Sequence, residues 1–491
     1  MNFNNRKQSK MNKILIGLGA IIVTCGVSAA EFTWTFPAAR KAPNVEICTF
    51  QYGKTWAYSF EMDDNPASAC TIAKPLFDKL QATDAPAGVK GGKAYSMPGT
   101  LGIFAVAIDN GKPGINLTSE NLKELVANGW SISNHGYWSS GIHWDKSKAN
   151  DEGMYRREFF WGQFFISQYV WDGMRSCTSM VYPNGDYGYK KYLSDYGILV
   201  GTLVAGTPQN VLASHDSVRK VNWLDAGRTN LDNGDWKSDP LHLLPKSFAE
   251  GDWFVDFTHG ISEPGKGTYE AISERLEYIR KTWGADGADN VWLTTSDRVA
   301  QYRHAAEAAK VTAARNKITV ALPDTVLQSA LTLKISGIPA SAKLKAPEGG
   351  VVYRDAKGDV FLTTPVIGKN ITNHPAGNLE KVHEAEIKVG HGQIVPQEIK
   401  FGKTVRFAGM RLLQFGDLPD GFNIDLRLVT PDGSEVPFNF AKYDKWIKLD
   451  NAWGSWRLFP QLPDEKAMPI TAIRYNAVQA FKKVEVWAEG K

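Results

Sequence analysis

The sequence predicts an α/β unit, a barrel or a parallel sheet, followed by one or two antiparallel β-sandwiches. Three observations predict it. Over residues 31–310 short apolar runs alternate with amphipathic segments, the mark of repeated strand–helix units. Near residue 310 the texture changes to polar–apolar alternation with hairpin signals, as half-buried strands show. Residues 371–381 are polar and hold Pro375 and Gly377, which reads as a linker. With 491 residues the chain exceeds one typical domain. Units at 31–310, 311–375 and 376–491 are expected after an N-terminal segment, 1–30.

That first segment is an export signal by its pattern. Arg6, Lys7, Lys10 and Lys13 precede an apolar run over 14–27, and Ser28, Ala29 and Ala30 supply a small-residue cleavage site. The next element is a β-prone run over 55–63 closed by Asp63-Asp64-Asn65. Residues 101–108 are an apolar strand. Leu122, Leu125 and Val126 form a helix face that Gly129 ends. Residues 130–133 lead into Asn134-His135, and 159–171 form a helix too aromatic to be fully exposed. Strands follow at 197–204 and 253–257, the latter just before Thr258-His259-Gly260. Tyr269, Ile272, Leu276 and Ile279 share a helix face, and 291–293 is a strand. Beyond 310, residues 318–320 and 331–335 alternate, and 351–353 and 360–362 flank a hairpin turn at Asp355-Ala356-Lys357-Gly358.

Charge argues against nucleic acid as a partner. The chain carries 56 basic and 52 acidic residues, but four of the basic ones and no acid lie in 1–30. The remainder is formally neutral, so there is no basic surface excess. No other long apolar run occurs, and no membrane span is expected after the first segment. Cys48, Cys70 and Cys177 remain once Cys25 leaves with the signal. They allow one disulfide, and their spacing fits no zinc ribbon. Oligomeric state is not legible.

Chemistry concentrates at strand ends. In α/β folds the carboxyl ends of strands build the site. Asp63-Asp64, Asn134-His135, Tyr182-Pro183-Asn184-Gly185 and Thr258-His259-Gly260 all follow apolar runs. Their order over residues 50–305 resembles the polysaccharide deacetylases of the family-4 carbohydrate esterases, the chitooligosaccharide-deacetylase homology group. Residues 58–64, Tyr-Ser-Phe-Glu-Met-Asp-Asp, are similar to that family's first motif, with Asn65 where glycine is usual. Residues 291–300 resemble its closing strand and helix.

The resemblance implies a distorted (β/α) barrel and an exported, metal-dependent deacetylase of acetylated glycans. It implies Asp63 as catalytic base, Asp64 and His135 as metal ligands, and His259 as general acid. Tyr182, Pro183 and Asn184 would wall the acetate pocket with Trp138 nearby, and the Tyr182 backbone N–H would help hold an oxyanion. The metal would be zinc first, with cobalt, nickel or manganese compatible with the same donors. Three departures stand out. Ser139 occupies the place of a second histidine. His143 is the substitute candidate, but eight residues of continuous helix span about 12 Å, so a loop must bring it back; Ser139, water or a degraded site are the alternatives. Val181 stands where an arginine is usual, and Arg228 is the candidate to orient Asp63. For the aspartate of the fourth motif, Asp225, Asp232 and Asp235 next to Trp236 are candidates. The departures also motivate a rival reading, a non-catalytic glycan-binding protein on a decayed esterase scaffold. Trp446, Trp453 and Trp456 read as sandwich core, with a sugar platform as the alternative.

Overall fold

The computed structural model describes residues 30–108, 116–137, 152–203, 218, 221–232, 239–370, 379–415, 418–419, 421–438, 455–460 and 467–490. Trp138, Ser139, His143, Asp235, Trp236, Trp446 and Trp453, the segment 1–29 and most of the expected linker lie outside them.

The centre is a parallel sheet of eight strands: β1 Trp56–Asp63, β2 Thr100–Ile103, β3 Ser131–Asn134, β4 Ser179–Val181, β5 Val200–Thr202, β6 Thr229–Asn230, β7 Trp253–Thr258 and β8 Val291–Leu293. Their order is β6-β7-β1-β2-β3-β4-β5, with β8 paired to the first half of β1. A parallel bridge from Thr202 to Ala226, just before β6, brings the two ends of the sheet together. The sheet therefore curls. β1 is buried along its whole length, as expected for a parallel strand covered on both faces. Side chains alternate. Trp56, Tyr58, Phe60 and Met62 join the large apolar core under the helices, while Ser59, Glu61 and Asp63 share the opposite face. Glu61 accepts a hydrogen bond from Thr202 at 2.9 Å. Thr202 lies four strands away in sheet order, so this contact crosses the inside of the curl.

Helices Ser119–Ala127, Glu152–Trp171, Gly267–Thr282 and Ser296–Ala308 stand where the apolar spacing places them. The first is closed at its start by a capping box between Thr118 and Asn121. One element differs from expectation. The strand at 101–108 stops at Ile103 and becomes a short 3-10 turn over Ala105–Ala107, because Phe104 is held by a side chain from outside the sheet, described below.

The antiparallel parts expected after 310 are present. Val351–Arg354 and Val360–Thr363 pair across the anticipated turn. The first strands of the chain also join them: Ala30–Thr35 pairs with Lys317–Leu322, and Asn44–Ile47 with Thr332–Ser336. The expected 31–310 unit thus lends its opening strands to the segment after it. A seven-stranded antiparallel sheet runs from Leu379 to Glu489. It packs on the aromatic helix Glu152–Trp171. Arg411 lies 4.0 Å over the rings of both Phe165 and Trp456 and pairs with Glu485 at 2.6 Å. Trp456 is buried in that stack, which excludes it as a sugar platform. Cys48, Cys70 and Cys177 are free thiols, so the disulfide that the sequence allows is not formed. Among the described residues no helix is long and apolar enough to cross a membrane.

Candidate active site

β1, β3 and β7 deliver four of the sequence candidates to one place. Asp63 ends β1 and is 1% exposed. Its oxygens receive the two terminal nitrogens of Arg228, each at 2.9 Å. Arg228 is fully buried over the Phe257 ring and also reaches Glu61 at 2.9 Å and the Leu203 carbonyl at 3.0 Å. Such fork-to-fork pairing fixes both position and plane. Burial alone would push the Asp63 carboxyl up, but Arg228, with His135 and His259, outweighs it and holds the group below the ordinary carboxylate range. Gly102 sits opposite on β2, where a Cβ would come within 2.9 Å of Asp63 Oδ1; only glycine leaves the carboxylate its room.

Asp64 takes φ +69°, which turns its half-exposed side chain out of the strand. His135 follows β3. Its Nδ1 lies 2.8 Å from the Val181 carbonyl, and a carbonyl can only accept, so the proton sits on Nδ1. In the neutral ring Nε2 then carries the lone pair. It faces Asp64 Oδ1 at 3.3 Å. Two acceptors at that distance repel unless a proton or a cation lies between them. Two ligands each about 2.1 Å from one ion at a near-tetrahedral angle lie roughly 3.4 Å apart. The pair fits a divalent cation, and the carbonyl on Nδ1 is the kind of outer support that metal-bound histidines have. Among the described residues no third His, Cys, Asp or Glu completes a ligand group; His143 lies outside them.

His259 comes from the end of β7. Its Nδ1 donates to Asp232 Oδ2 at 2.5 Å, while the other Asp232 oxygen receives the His259 backbone N–H at 2.8 Å and the Thr258 hydroxyl at 2.6 Å. Nε2 points toward the site, 3.9 Å from Asp64 Oδ2. The hydrogen bond to Asp232 raises the imidazole to about 9, against the opposing effect of partial burial. The folded value exceeds the ordinary value near 6.5. Protonated His259 thus stabilises the fold fully below about pH 6.5, and that contribution is lost as pH rises through about 9. Asp232→Asn removes the main cause of the rise. In the metal-free protein the His259 ring protons should then titrate well below the wild-type midpoint, as followed by NMR. An unchanged midpoint would assign the shift to Asp63 and Asp64 instead.

Tyr182 and Asp225 take other partners. The Tyr182 backbone N–H donates to the Thr202 carbonyl at 3.1 Å; it continues the sheet ladder, which corrects the oxyanion role expected for it. The Tyr182 side chain is buried and donates to the Leu224 carbonyl at 2.7 Å. Pro183 is buried, and Asn184 is exposed with φ +49°. Asp225 is taken by Lys190 and by Asn222, which leaves Asp232 as the partner of His259. Glu61 escaped the sequence reading. It is fully buried and held by Arg228, Thr202 and Ser296. Its signal was available: position i−2 from Asp63 shares a strand face.

No family model matches the chain, and no curated protein does. Among solved structures it is similar to a Streptococcus pyogenes deacetylase, PplD, in complex with acetate, at 15% sequence identity and a TM-score of 0.26. The likeness covers 35% of this chain and 62% of that one, under two thirds of its length. A resemblance so loose carries no argument about activity, and the case rests on the geometry of Asp63, Asp64, His135 and His259.

Proposed function

We propose that the chain is an exported, metal-dependent hydrolase that removes acetyl groups from a glycan. The observation that carries this reading is His135 Nε2 facing the Asp64 carboxylate at 3.3 Å, beside an arginine-clamped aspartate and an aspartate-held histidine. Asp64 and His135 would hold the cation. When bound, it supplies Lewis acidity toward water and toward the acyl oxygen.

The protein groups divide the proton work. Asp63 is ionised at neutral pH. Each carboxylate oxygen offers two lone pairs, so the Arg228 clamp leaves capacity to take a proton from an attacking water. The water oxygen bonds to the acetyl carbon, and the carbon–nitrogen or carbon–oxygen bond to the sugar breaks. His259, kept cationic by Asp232, gives the Nε2 proton to the leaving atom. Acetate and a deacetylated sugar result.

The test is metal uptake and acetate release by the purified protein. We expect about one zinc per chain, acetate released from N-acetylated oligosaccharides or O-acetylated polymers, and loss of release on chelation with recovery on adding Zn²⁺ or Co²⁺. Absence of metal uptake together with retardation on glycan gels would replace this reading with the non-catalytic glycan-binding one. Chelator-resistant cleavage of chain bonds would point to a glycosidase working through two carboxylates.

A further inference from the structure

We infer that Asn65 is a positioning residue that locks the Asp64 and His135 segments together, an assignment that rests on the proposed function. β1 pairs with β2 as far as Asp63 opposite Gly102. Beyond that point the backbone leaves the sheet: Asp64 and Asn65 have φ of +69° and +55°. Left-handed residues cannot continue a β ladder, and two non-glycine residues in a row there carry a conformational cost.

The Asn65 side chain takes over from the ladder. It is fully buried. Its Oδ1 accepts from the Phe104 N–H at 2.8 Å, and its Nδ2 donates to the Phe104 carbonyl at 3.1 Å. A primary amide that satisfies both polar groups of one residue stands in for a neighbouring strand. Its own carbonyl receives the Leu117 N–H at 3.0 Å, which fixes it from the other side. Phe104 follows directly on β2, and its ring centroid lies 4.2 Å from that of the His135 imidazole. The preceding carbonyl, of Ile103, accepts the His135 N–H at 3.0 Å. One side chain therefore ties the turn that aims Asp64 to the residues that flank His135. A residue selected for its φ alone would be glycine. The buried, doubly bonded amide is what asparagine adds.

That difference makes the test. Asn65→Gly keeps the left-handed turn, at lower strain, and deletes the amide. Metal-free wild type and variant would be titrated with Zn²⁺ by calorimetry, with thermal melts alongside. We expect zinc affinity to fall at least about tenfold, the lower end for loss of an outer support, with a lowered but still cooperative metal-free melt, because the N–H and carbonyl of Phe104 lose their partner. Wild-type affinity in Asn65→Gly would overturn the inference and leave asparagine as a filler of the turn. Should that variant fail to fold, Asn65→Ser decides: it keeps a polar side chain that is too short to pair with both the N–H and the carbonyl of Phe104. Weaker zinc binding supports the inference, and unchanged binding overturns it. No zinc uptake by the wild type would instead sink the proposed function, and the inference with it.

Discussion

Asp63→Asn should abolish acetate release while the chain still folds and still takes up metal. The substitution keeps volume and one acceptor oxygen but removes the negative charge and the basic lone pair. A positioned general base contributes about 10²–10⁴ in rate, so kcat should fall by that much with KM nearly unchanged. Structure should survive because Glu61 stays on Arg228 at 2.9 Å, so the guanidinium is not left alone. The melting temperature should drop nonetheless, since the new amide NH₂ meets an Arg228 nitrogen that only donates. Metal stoichiometry separates the roles of the two neighbouring aspartates. Asp64 and His135 are untouched, so one ion per chain should remain. A variant that lost its metal would make Asp63 a ligand. A variant that released acetate at the wild-type rate would remove it from the mechanism.

Much of this site was legible because strands and their ends have local signatures. The β-prone run before Asp63-Asp64, the apolar strand before Asn134-His135 and the one before Thr258-His259 needed no knowledge of partners. Their meeting followed from the rule that strand ends in α/β folds share a face. What the sequence does not hold is who pairs with whom. The strand Ala30–Thr35 went unread, and nothing local says that it lies beside residues 317–322. Asp225, Asp232 and Asp235 were equivalent as letters. Asp232 is the partner of His259 because two residues past β6 is where a side chain meets the end of β7. The Tyr182 N–H was misassigned for a related reason. Whether an amide at a strand end faces a ligand or the next strand depends on how far the ladder runs, and here it runs one residue further.

Arg228→Met should be the most destabilising single change in the site, and its effect should grow with pH. Arg228 is the only cation bonded to two fully buried carboxylates, Glu61 and Asp63, among the described residues. Removing one partner of a buried ion pair typically costs about 3–5 kcal/mol. Methionine fills the stem volume, so the loss is one of charge more than of packing. Glu61 keeps the hydroxyls of Thr202 and Ser296, yet hydroxyls do not offset burial of a carboxylate, and burial already raises its pKa in the wild type. Asp63 loses the group that outweighs its desolvation, so its carboxyl should move from depressed to raised. The sign then follows. Groups whose folded pKa exceeds the unfolded value stabilise below the unfolded pKa, and lose that contribution as pH rises through the folded one. Urea midpoints should therefore show a larger deficit for Arg228→Met at pH 8 than at pH 5. An equal or smaller deficit at pH 8 would mean that Arg228 acts by packing on Phe257, and would free Asp63 from its dependence on the clamp. Adding Glu61→Gln to Arg228→Met should recover stability by removing one uncompensated charge. It should not restore acetate release, because Asp63 would remain without the fork that orients and ionises it.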